Sequence, residues 1–138
     1  MNEPGPTATQ APVTMDHLTI MSRSAEAGAA FYGLVLPRLG FWQVKPGIWR
    51  NAGGLHFQFR TAREGTRDYE RYGPGLNHFG FAAQAPEFVE DLHEFVAAAG
   101  YEARLQTFPD GTVALFIPDP DGLRLEVAWY PEGTAPVD

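Results

Sequence analysis

The chain has 138 residues, 44% of them hydrophobic and 20% charged, the balance of one folded domain rather than of a disordered or fibrous chain. Ten Lys+Arg against 17 Asp+Glu leave a net charge of -7, and Lys45 is the only lysine, which argues against nucleic acid as a partner. Cysteine is absent and Ser22 and Ser24 are the only serines, which excludes disulfides, thiolate metal sites and thiol nucleophiles and leaves little for a serine hydrolase.

The segment 1–12 carries three prolines and no hydrophobic periodicity and reads as a disordered lead-in. It has neither a basic flank nor an apolar signal core. No apolar run approaches the ~18 residues of a membrane span, so the prediction is a cytoplasmic protein without a membrane partner. From Thr14 to Met21 the chain alternates, with Leu18 and Ile20 on one face of a strand and His17, Thr19 and Met21 on the other. Ser24 opens a helix with Ala27, Ala30, Phe31, Leu34 and Val35 on one stripe, stopped by Pro37 and Gly40. Phe41 to Val44, Ile48 to Arg50 and Leu55 to Arg60 follow as short strands joined by Pro46-Gly47 and Gly53-Gly54 turns, and the last sets His56, Gln58 and Arg60 opposite Leu55, Phe57 and Phe59. Residues 61–75 are a polar linker.

The pattern then begins again. Leu76 to Ala82 is a strand with His78 facing away from Phe79 and Phe81, and Pro86 starts a helix whose Phe88, Leu92, Val96 and Ala99 are the expected buried stripe, ended by Gly100. Strands follow at 103–108, 113–117 and 123–129, with Asp110-Gly111 and Asp119-Pro120-Asp121-Gly122 as turns, before a tail at 131–138. The order β-α-β-β-β thus occurs twice, over about 14–60 and 76–130. The prediction is an α+β fold, paired βαβββ modules forming a cupped mixed sheet with helices on the outside.

His17 opens the first module, His78 opens the second and Glu126 lies on the last strand, each opposite the aliphatic packing residues. All three are expected to point into one cavity. Two histidines and a carboxylate on rigid strands make a facial triad that holds a divalent metal and leaves positions open to substrate. His56 or Gln58 is the candidate fourth ligand; of the two, neutral imidazole is the stronger donor and doubles as a general base. Arg60 and Arg124 share the inward parity and are candidate clamps for an acidic substrate group, with Phe116 among the aromatic residues that would line the pocket.

At Met15 to Ile20, Phe31-Tyr32 with Leu39-Gly40-Phe41, Gly75 to Phe81 and Asp119 to Val127, the chain resembles the vicinal oxygen chelate superfamily of glyoxalases, fosfomycin-resistance enzymes, extradiol dioxygenases and bleomycin-resistance proteins. The resemblance implies one divalent metal per site (Fe, Mn, Zn or Ni) on the first and last strands of each module, with His17, His78 and Glu126 at ligand positions. A glyoxalase has glutamate on the strand where this chain offers His56 and Gln58. The implied function is a lyase, isomerase or ring-cleaving dioxygenase acting on a small molecule through adjacent oxygens; the alternative is a non-catalytic binder of bleomycin-type drugs. A homodimer is expected, as edge strands would otherwise be exposed, and in a swapped arrangement His17 would share a metal with the second copy's His78 and Glu126.

Overall fold

The computed structural model describes Gly5 and residues 11–134; the expected lead-in and tail lie largely outside the described residues. Alternation in the first strand, β1 (His17–Ser22), exposes His17, Thr19 and Met21 and buries Ile20 and Ser22. Ser24 caps helix α1 (Ala25–Val35), its hydroxyl accepting the Ala27 N–H at 3.1 Å, and the chain leaves through a 3-10 turn, Leu36–Leu39, to Gly40 at φ 88. Then come β2 (Trp42–Lys45), β3 (Ile48–Arg50) and β4 (His56–Thr61). The second module repeats the sequence with β5 (His78–Ala82), α2 (Pro86–Ala98), β6 (Arg104–Thr107), β7 (Val113–Pro118) and β8 (Arg124–Trp129).

Each module is a separate four-stranded mixed sheet, ordered β1-β4-β3-β2 in one and β5-β8-β7-β6 in the other, so the repeat read from the sequence is a repeat in three dimensions. In both, the first strand runs parallel to the last, and the remaining pairs are antiparallel. Both helices pack on their own sheet, α1 on β4 and α2 on β6 to β8, against the faces opposite the histidines.

Two helix stripes differ from expectation. In α2 the buried line is Val89, Leu92 and Val96, while Phe88 is 40% exposed and Ala99 is exposed. Both lines satisfy helical spacing, and the sheet meets the one that steps three and then four residues. In α1 the buried set includes Gly28 and Tyr32, and Ala30 is exposed. A Cβ on Gly28 would stand 2.7 Å from the Ser22 hydroxyl and 3.1 Å from its Cβ, so any larger residue there would force the Ser22 side chain aside.

One apolar core joins the modules. Phe57 of β4 lies 5.7 Å, ring centre to ring centre, from Phe79 of β5; Phe41 meets Phe81 at 5.9 Å, and the Arg38 guanidinium sits 3.8 Å over the Phe95 ring. The buried Tyr32 hydroxyl crosses the same junction to donate to Asp119 Oδ2 at 2.7 Å. Asp119 also accepts the Asp121 and Leu123 N–H groups and so closes the turn before β8. Burial pushes its carboxyl above the ordinary aspartate range, against the lowering pull of these donors. Because the modules meet through their aliphatic faces, their histidine faces are turned away from this shared core. No helix among the described residues is long and apolar enough to cross a membrane.

Candidate metal centre

Strand parity and register place the candidate ligands. In the second module His78 is opposite Arg124 and Gly80 is opposite Glu126, all on the face away from Phe79 and Leu125. From there the Glu126 carboxylate reaches back until Oε1 is 3.1 Å from His78 Nε2. On its other side the His78 ring has Nδ1 2.7 Å from Asn77 Oδ1, and the Asn77 amide nitrogen donates to the Arg71 carbonyl at 2.8 Å. The Asn77 oxygen is therefore the acceptor, and the ring proton belongs on Nδ1. That leaves the Nε2 lone pair facing a carboxylate oxygen. Either a proton or a cation must stand between them, and a divalent metal satisfies both donors, so this donor pair fits a metal.

The first module carries the equivalent arrangement. His17 is opposite His56 and Thr19 is opposite Gln58. Gln58 thus holds the place of Glu126, and His56 the place of Arg124. His17 Nδ1 donates to Asp16 Oδ2 at 2.7 Å, as Asn77 serves His78, so His17 also presents Nε2 outward. This bond, with the histidine charges nearby, holds the Asp16 carboxyl below its usual range. The His56 ring stacks on His17 with centres 5.2 Å apart, and its Nε2 is 3.8 Å from Asp16 Oδ2. One ligand atom from each of Asp16, His17 and His56 falls within 4.8 Å of the others, the only such trio among the described residues.

The expected convergence of His17, His78 and Glu126 within one chain is not found: among the described residues the one close trio of potential ligands is Asp16, His17 and His56, and His78 stands with Glu126 on the other module. His17 belongs with Asp16, His56 and Gln58, and His78 with Glu126. The cause is the packing of the modules, which buries the aliphatic faces against each other and directs the ligand faces apart. Asp16 and Asn77 were missed as hydrogen-bond partners of the histidines, although each directly precedes the repeated histidine.

The remaining candidates divide. Arg124 does not pair with Glu126; its guanidinium reaches Asn77 Oδ1 at 3.4 Å and lies 5.1 Å over the Phe116 ring, while its Nε is buried with no partner. Burial, together with repulsion from Arg71 and Arg104, lowers its pKa. Arg104, missed by the sequence reading, approaches Phe116 from the other side of the strand register at 5.7 Å. Arg60 is exposed at the end of β4 and lines a separate cavity of about 540 Å³ against α1, with Tyr32, Trp49 and Phe59. A larger cavity of about 900 Å³ opens between β1, the 62–76 segment and the turn at Asp119 to Leu123.

The family model described as Glyoxalase/Bleomycin resistance protein/Dioxygenase superfamily matches residues 14–127. The chain belongs to this superfamily. A Bacillus subtilis relative, the uncharacterized protein YqjT, is 28% identical over 123 residues, covering 82% of this chain and 96% of that one. Among solved structures, a glyoxylase/bleomycin resistance protein/dioxygenase domain from Frankia sp. EAN1pec has TM-score 0.70 at 23% identity, covering 91% of this chain and 96% of that chain. The lactoylglutathione lyase of Agrobacterium tumefaciens has TM-score 0.64 at 21% identity, covering 86% and 95%. These two structures share the fold with the superfamily member described here.

Proposed function

We propose that this superfamily member is an enzyme that holds one divalent metal per site and acts on a small substrate chelating through two adjacent oxygens. The observation that carries this reading is the match of the two half-sites: in each module a histidine whose Nδ1 proton is held by the preceding residue turns Nε2 toward the open face, with Gln58 or Glu126 at equivalent register positions. Because those faces are directed apart within a chain, the complete site is formed by two copies. His17 and Gln58 of one protomer meet His78 and Glu126 of its partner, and Met21 at 47% and Trp42 at 49% exposure are covered in the same association.

Asp16 and Asn77 hold the ring tautomers, Glu126 supplies the anionic ligand, and Gln58, with the Thr19 hydroxyl 3.4 Å from its Oε1, supplies a neutral fourth donor. His56, stacked beside His17, is placed to take and return a substrate proton. When bound, the metal supplies Lewis-acid or oxygen-activating chemistry to the chelated oxygens. Zinc, nickel or manganese as the resident metal points to a lyase or isomerase; iron points to oxygen-dependent ring cleavage.

The test uses two variants. H17A and H78A are each expected to lose metal, and a co-refolded equimolar mixture should regain one site per heterodimer, about one per four chains when pairing is random, because one interface of the heterodimer then holds His17 and His78 intact. Light scattering should give the mass of a homodimer. A monomer, or a mixture that stays metal-free, refutes the shared site, and a wild type that takes no metal but binds an aromatic drug indicates a binding protein instead.

A further inference from the structure

Across the open face of the second sheet, register sets Gly80, Glu126, Phe116 and Arg104 side by side on four adjacent strands, with Arg124 two residues from Glu126 on the same face. Phe116 holds both guanidiniums, Arg124 at 5.1 Å and Arg104 at 5.7 Å from its ring centre. Neither makes an ion pair among the described residues, although the chain carries 17 acidic residues and a net charge of -7. Arg104 spends one donor on Gln106 Oε1 at 2.7 Å, and Arg124 spends one on Asn77 Oδ1 at 3.4 Å. The Arg124 Nε is buried without a partner. The one carboxylate on the row, Glu126, turns to His78 instead. Two guanidiniums fixed on one ring with most of their donors unused form a fork for an oxyanion.

We propose that Arg104 and Arg124 are an oxyanion-binding pair that takes the carboxylate or phosphate group of an acidic substrate beside the His78 and Glu126 half-site. This rests on the metal-centre reading for the orientation of the substrate, whose chelating oxygens face the metal position beside His78 and Glu126 while its anionic group lies against the two guanidiniums carried by Phe116. Only an acidic substrate supplies an anion to both guanidiniums at once, so the site selects for acids.

The experiment compares benzoate, phenyl phosphate and neutral benzamide by titration calorimetry on metal-free wild-type protein. The two anions should bind at least ten-fold more tightly than benzamide, and raised salt should weaken only them. Whichever anion is preferred identifies the group as carboxylate or phosphate. The double variant R104M/R124M should lose that preference, and R104M, at an exposed position, should lose part of it while keeping the native circular dichroism; K45M, on the far edge strand of the first sheet, should keep it. Equal binding of benzamide and benzoate, or full anion binding by R104M/R124M, overturns the proposal. Because metal is absent, the result is independent of the metal reading: E126A that retains the anion preference but takes no metal supports the pair, and double-variant protein that takes metal yet binds anions as wild type refutes the pair alone.

Discussion

Replacing Tyr32 by phenylalanine removes one atom at the junction of the modules. The ring is fully buried and keeps its stacking on Phe59, with centres 4.4 Å apart, and its edge contact with Phe31 at 4.9 Å, so packing is conserved. What is lost is the hydroxyl's bond to Asp119 Oδ2 at 2.7 Å, leaving that carboxylate the N–H groups of Asp121 at 2.9 Å and Leu123 at 3.1 Å. A hydrogen bond to an ionised group contributes about 1.5–3 kcal/mol, and Y32F should cost that much at neutral pH. With a urea m-value of about 1–3 kcal/mol/M, the midpoint should fall by roughly 1 M at unchanged m. The pH dependence is the sharper check. Asp119 has a raised folded pKa, so its protonated form favours folding; that stability is fully present below the unfolded pKa of 3.8 and is lost as pH rises through the folded value. The Tyr32 bond favours the ionised form and offsets part of this loss. The cost of Y32F should therefore shrink to about 0.5–1.5 kcal/mol at acidic pH, where the acceptor is neutral, and grow as pH rises. Urea titrations at several pH values measure it; a cost that is constant with pH, or below 0.5 kcal/mol throughout, would show that the bond does not tie the modules together.

Further outcomes follow from other contacts. Q58A should weaken metal binding in calorimetry more than H56A does, because Gln58 holds the register place of Glu126; the reverse order would return the fourth ligand position to His56. D16N should leave the fold intact and lower metal affinity roughly 10-fold or more by weakening the hold on the His17 ring, with unchanged affinity as the refuting result. Arg23 bonds the carbonyls of Arg63, Thr66 and Arg67, so R23Q should speed proteolytic cleavage within 63–68, and an unchanged cleavage rate would mean the segment is held otherwise. G28A should destabilise despite the better helix propensity of alanine, by about 1 kcal/mol in urea, since the new methyl meets Ser22; a stabilised variant would contradict the close approach.

Period-two alternation with histidines opposite phenylalanines, a helix after each first strand and turn residues between the rest were enough to read two βαβββ modules from the sequence alone. Side-chain parity follows from backbone geometry, which is local, and so His17, His56, Gln58, His78 and Glu126 were all legible as members of the open faces. Which of those faces meet was not legible. That depended on Phe41, Phe57, Phe79 and Phe81 joining across the modules, contacts between residues far apart in the chain that no local pattern encodes. The same holds for register: alternation treats His56 and Gln58 alike, and only the pairing of β1 with β4 and of β5 with β8 sets Gln58 in the place of Glu126. Arg104 came beside Phe116 for this reason too, since its strand joins the row only through hydrogen bonds to β7. The sequence by itself determined the elements and the face each side chain takes, because these depend on neighbouring residues; the tertiary structure alone decided that His17 with His56 and His78 with Glu126 stand on separate open faces, because the aromatic faces are buried against each other.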